Sequence, residues 1–188
     1  MTKTTLVPGA NRGIGYELAK QLKARGHQVI AVCRSSSPEL ERLDLRVESG
    51  IDVASAAHVA DLAKRVANVR LDGLIANAGI LRGDTLDTVD FESVLEQFQV
   101  NALGALRTVH ALLPRLAAGA KVALITSRMG SISDNGSGGY YGYRMSKAAL
   151  NAAGMSLARD LARRNIAVAI LHPGFVKTEM TGNSGGIE

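Results

Sequence analysis

Short runs of branched apolar residues alternate along the chain with longer stretches of helical period. Thr4 to Val7, Gln28 to Cys33, Leu45 to Ser49, Gly73 to Ala76, Lys121 to Thr126 and Ala167 to Leu171 are the predicted strands. Their polarity is largely unbroken, as expected of parallel strands covered on both faces. Between them Ile14, Leu18 and Leu22 recur one turn apart, and Val59, Leu62, Ala63 and Val66 line a second helical face. Asp90 stands where it would cap a helix carrying Val94, Leu95 and Phe98. That pattern resumes through Leu103, Leu106, Val109 and Leu112 before Pro114, predicting one long crossover helix packed on the sheet. A last long helix is predicted from Gly142 or Tyr143, with a small-residue surface at Ala148, Ala149, Ala152 and Ala153. The alternation gives an α/β fold of β-α units. SSSPELE and the closing GNSGGIE read as the most linker-like stretches.

A chain of 188 residues with 46% hydrophobic content suffices for one domain, 1–188. The formal charge of +5 is scattered rather than massed in a stripe, and with no Trp and three Phe there is little to stack on bases. A nucleic-acid partner is therefore not expected. Cys33 stands alone, which fits a reducing compartment, and no apolar run reaches bilayer length. The expectation is a soluble cytoplasmic protein that uses no membrane. The four His have no metal-ligand spacing, so no metal is expected either.

Candidate chemistry begins at PGANRGIG, where Gly9, Gly13 and Gly15 follow the first strand and open the first helix. Glycine there permits a tight turn, the approach of a pyrophosphate and close helix-strand packing, while the helix amides face the phosphates. Gly15 is followed by Tyr16 and Glu17, not by the Lys and Ser or Thr of a nucleoside-triphosphate loop. The second strand ends in AVCRSS, with Cys33 in the slot where an NAD site places an acid. Arg34 follows. With Arg12 it forms either a clamp for a ribose 2'-phosphate, favouring NADP(H), or a solvated pair of surface cations. Asp52 is either a partner for the adenine amino group or a turn or helix cap. Farther on, Tyr143 and Lys147 lie one helical turn apart, and an ammonium beside a phenol is expected to lower its pKa from about 10.

These segments together resemble the short-chain dehydrogenase/reductase family, and within it the carbonyl-reductase and C-factor-like members. The resemblance rests on PGANRGIG at 8–15, ANAG at 76–79, Asn101 in QVNALG, Ser127 in ITSRMG, YRMSK at 143–147 and HPGFVKT at 172–178. It implies a Rossmann-like three-layer α/β/α sandwich with a mostly parallel sheet. It also implies Ser127 as the carbonyl-positioning residue, Tyr143 as proton donor or acceptor, Lys147 as its electrostatic partner and Asn101 as support for a water-linked proton relay. The implied cofactor site comprises Gly9, Asn11, Arg12, Gly13, Ile14, Gly15, Arg34, Asp52, Val53, Asn77, Ala78, Gly79, Tyr143, Lys147, Pro173, Gly174, Val176 and Thr178. Pro8 stands where the family has Thr and Ala76 where it has Asn, and each substitution removes a polar side chain. The family pattern leads to the expectation of a seventh strand after the last loop, so six strands and a shortened C-terminus are anticipated here. An NADP(H)-dependent oxidoreductase acting on a small carbonyl or alcohol, as a homodimer or homotetramer, is the implied function. A cofactor-binding signalling protein with little turnover is the alternative.

Overall fold

The computed structural model describes residues 2–186. Its strands are β1 (Thr4–Pro8), β2 (Gln28–Val32), β3 (Arg46–Glu48), β4 (Leu71–Ala76), β5 (Leu116–Ile125) and β6 (Ala167–Leu171). They form one sheet in the order β3-β2-β1-β4-β5-β6, every pairing parallel. The strand order reverses between β1 and β4, and a crevice opens at their carboxyl ends, where doubly wound folds bind dinucleotides.

The helices are α1 (Gly13–Ala24), α2 (Pro38–Glu41), α3 (Ala56–Arg65), α4 (Phe91–Phe98), α5 (Ala105–Leu112) and α6 (Tyr141–Ala162). Successive β1 residues point to opposite sides, so Leu6 and Val7 enter different cores. Leu6, Leu74 and Leu124 meet Leu62 of α3, Leu112 of α5 and Leu150 of α6 on one face. Val7, Val29 and Ala31 meet Ala19 of α1 and Leu40 of α2 on the other. Burying such a Leu stabilises by roughly 1.5–3 kcal/mol, so these two layers dominate the driving force for this architecture.

Four sequence expectations change. SSSPELE is not a linker, because Ser37 Oγ accepts from Leu40 N at 3.2 Å and nucleates α2, whose Leu40 is fully buried. The mid-chain helix is not uniform, since Gln99–Gly104 forms a π-helical stretch between α4 and α5. Asp90 does cap α4, its Oδ1 accepting from Glu92 N at 3.0 Å, but Leu95 and Phe91 face outward and Gln97 is the buried residue. Gln97 is drawn inward because its Oε1 accepts from Arg82 N at 2.9 Å. Finally, β6 alternates, with Val168 and Ile170 turned to α6 and Ala167, Ala169 and Leu171 exposed. Among the described residues, that outer face of β6 carries no covering helix.

Candidate active site

The turn after β1 is built by close approach. A Cβ on Gly15 would sit 2.1 Å from the Gly9 carbonyl oxygen, a backbone atom with no freedom to move aside. Gly9 itself has φ +74° and leaves 2.8 Å between a notional Cβ and Ala78 Cα. Only glycine fits both positions. Asn77 Nδ2 donates to the Pro8 and Gly9 carbonyls at 3.3 and 3.1 Å, so the turn is held from β4 despite the polar groups lost at Pro8 and Ala76. Arg12, the N-cap of α1, makes no side-chain cap, whereas Ser37, Ser55 and Asp90 cap α2, α3 and α4. The first amides of α1 therefore present donors and the positive end of a helix dipole to the crevice.

The crevice has a volume of about 670 Å³, within the range of cofactor clefts. Gly9, Asn11, Arg12, Gly13 and Ile14 line its phosphate end, with Arg34, Asp52 and Val53 beyond. Asn77, Ala78, Gly79, Tyr143 and Lys147 line the other side, closed by Pro173 and Thr178. Gly174 and Val176, expected at the wall, do not reach it: Gly174 turns the chain at φ +86°, and the Val176 carbonyl accepts from Thr181 Oγ1 at 3.0 Å. Gly15 lies beneath the turn rather than on the wall. Asp52 does shape a turn ahead of α3, Oδ1 accepting from Ala54 N at 2.9 Å, while remaining on the crevice surface. Arg12 is not free, because its guanidinium pairs with Glu179 Oε2 at 2.6 Å across the mouth of the crevice.

Ser127, just past the end of β5, is a neighbour that favours the Tyr143 phenolate. Its Oγ also accepts from Met129 N at 3.2 Å. Thr126 Oγ1 donates to Asn151 Oδ1 at 2.6 Å, and Asn151 Nδ2 donates to the Gly130 carbonyl at 3.3 Å, fastening this segment to α6. Lys147 is 4% exposed; its Nζ lies 5.7 Å from the Tyr143 ring centroid and donates to the Ile125 carbonyl at 2.8 Å. Burial lowers the Lys147 ammonium to about 8. Burial also raises the Tyr143 phenol above its ordinary range, and the neighbouring Ser127 side chain brings it back only in part. The expected lowering by Lys147 is thus reversed in this state, since removing the phenolate from water outweighs its neighbours.

Asn101 occupies the π-helical stretch, which turns it away from solvent. Its Oδ1 accepts from Ile80 N and its Nδ2 donates to Ile80 O, both at 2.8 Å, with a further donation to Ser146 Oγ at 3.0 Å. A Cβ on Gly79 would stand 3.2 Å from Asn101 Oδ1 and 3.7 Å from Lys147 Nζ, so both polar groups converge on that strand end.

The model of the short chain dehydrogenase family matches residues 3–186. The chain belongs to that family. A 1-hydroxy-2-glutathionyl-2-methyl-3-butene dehydrogenase of Rhodococcus sp. strain AD45 is 42% identical over 185 residues, covering 97% of this chain and 82% of the relative. A Burkholderia multivorans short-chain dehydrogenase/reductase with bound NADP superimposes with a TM-score of 0.93 at 31% identity, covering 100% of this chain and 86% of that one. The NADPH-bound carbonyl reductase from chicken fatty liver has a TM-score of 0.85 at 30% identity, with 100% and 84% covered. Sequence reasoning missed Glu179, Thr126 and Ile80 on the crevice wall. Glu179 lies 167 positions from Arg12, too far for any local pattern to pair them. No described helix is long and apolar enough to cross a membrane, and no cluster of three metal-ligating side chains occurs among the described residues.

Proposed function

We propose that the protein is an NADP(H)-dependent oxidoreductase interconverting a small carbonyl compound and its alcohol, with residues 1–188 acting as one dinucleotide-binding and catalytic domain. The observation that carries this reading is the meeting, in one crevice, of an uncapped helix start built on Gly9 and Gly15 with the Tyr143–Lys147 pair, which has Ser127 as a neighbour. When bound, the nicotinamide cofactor supplies the hydride. The pyrophosphate fits at the α1 amides, and Arg34 with Arg12 suits a 2'-phosphate. The structural relatives bound to NADP and NADPH support that form of the cofactor.

Ser127 donates to the substrate oxygen and holds it against Tyr143. In reduction Tyr143 gives that oxygen its proton, and its raised pKa keeps it in the protonated, donating form. In oxidation it must accept a proton as phenolate, and Lys147 then supplies the stabilising charge. Asn101 holds the Ile80 strand end beside Lys147 and supports the route by which Tyr143 regains its proton. The exposed Phe91, Leu95 and Met145, together with Ala152 and Ser156, suit pairing of α4 and α6 with a second copy as a homodimer or homotetramer. The buried Cys33 suits a reducing cytoplasmic setting.

The test is a fluorescence titration with NADPH and NADH, followed by cofactor oxidation with a panel of aldehydes and ketones. Saturable binding tighter for NADPH, with turnover of at least one carbonyl, is expected. Absence of binding to either cofactor rejects the reading.

A further inference from the structure

The helix that carries Tyr143 and Lys147 is capped by a residue far away in sequence. Tyr140 enters α6 with a left-handed backbone, φ 54°, and supplies no side-chain cap. A bulky residue holds that conformation only where its surroundings fix it. They do so through Asp84, in the loop between β4 and α4. Tyr140 N donates to the Asp84 carbonyl at 2.9 Å, Tyr141 N to Asp84 Oδ1 at 2.6 Å and Gly142 N to Asp84 Oδ2 at 3.5 Å. One residue thus meets three successive amides that the helix itself leaves open. The same loop is anchored nearby, by Arg82 N to Gln97 Oε1 and by the paired bonds of Ile80 to Asn101, which in turn reaches Ser146 of α6. The loop therefore grips α6 at its entry and again one turn further on.

We propose that Asp84 is a positioning residue for Tyr143, setting the entry of α6 and with it the place of the phenol oxygen beside Ser127. The proposal rests on the hydride-transfer reading above. Asp84 acts through the backbone of Tyr141 and Gly142, immediately before Tyr143, and is not on the crevice wall. Its loss therefore bears on proton transfer more than on cofactor binding, because the phosphate end of the crevice is built on the turn from β1 into α1. A misplacement on the order of 1 Å at a reacting group costs about 100-fold in rate.

The experiment compares D84A and D84N with wild type for kcat on a reducible carbonyl, NADPH affinity, and amide hydrogen exchange over residues 140–147. D84A is expected to lower kcat roughly 10- to 100-fold with NADPH affinity within about twofold, and to speed exchange in that segment. D84N, which keeps an oxygen to accept from Tyr141 N, recovers most of the rate and the protection. Unchanged kcat in D84A, a loss in D84N as large as in D84A, or a parallel fall in NADPH affinity overturns the proposal. If D84A does not fold, D84E, which retains the charge but displaces the carboxylate by one methylene, is judged by the same criteria. If wild type binds NADPH but reduces no carbonyl, the hydride-transfer reading fails. Exchange then decides for Asp84 separately: acceleration confined to D84A upholds the cap, and unchanged exchange removes it.

Discussion

Lys147 Nζ is fixed between the Tyr143 ring, 5.7 Å from its centroid, and the Ile125 carbonyl, 2.8 Å away. The buried ammonium has one carbonyl for a partner and a pKa lowered to about 8, against 10.5 for an ordinary lysine. Between those values the unfolded chain binds a proton that the folded protein does not, so stability rises with pH through that window. Cys33 and Tyr143, both raised by burial, oppose this only above their ordinary values of 9.0 and 10.0. The cofactor-free protein is expected to gain about 1 kcal/mol between pH 7.5 and 9. Urea unfolding at the two pH values checks this, and K147M should flatten the difference.

Ser127, proposed to orient substrate, also lowers the Tyr143 phenol. S127A is expected to cut kcat by about 10²–10³ and to move the alkaline pH dependence of alcohol oxidation upward, because the phenolate loses a donor. A pH-rate profile of the variant distinguishes this from simple loss of binding, which would leave the profile in place.

The Arg12–Glu179 pair sets a cation of the proposed 2'-phosphate site against an acid on the segment after β6. Both side chains are well exposed, 60% and 66%, so the competition is weak and screened by salt. E179Q should tighten NADPH by at most about fivefold while leaving NADH unchanged, with the gain shrinking at high salt. R34A should weaken NADPH more than NADH. Paired titrations with the two cofactors read both effects.

Gly15 faces the Gly9 carbonyl at a distance no Cβ tolerates. G15A should destabilise the fold by about 1–3 kcal/mol through forced displacement of the turn, and weaken both cofactors together. Thermal unfolding and NADPH titration on the same preparation measure the two consequences.

The sheet and the phosphate turn were legible because their signals are local. Branched apolar runs, a glycine cluster after the first strand and Tyr143 one turn before Lys147 each sit within a short window. The features that escaped depend on distant partners. Ser37 converts a linker-like stretch into a capped helix. Arg82 draws Gln97 inward and leaves Leu95 in solvent, against the apolar pattern of α4. The raised phenol pKa is not legible in the sequence, because spacing reports the neighbouring ammonium but not how deeply both groups are buried. Asp84 and Glu179 were invisible for the same reason, each meeting its partner only after the sheet is assembled.

The proposed role of Tyr143 is to exchange the proton that accompanies hydride transfer, and Y143F removes the hydroxyl that does so. Single-turnover reduction of a carbonyl by pre-bound NADPH should slow by about 10²–10⁴ in Y143F, with NADPH affinity and thermal stability near wild type. A Y143F protein that binds NADPH and reduces the carbonyl at the wild-type rate would rule out that role.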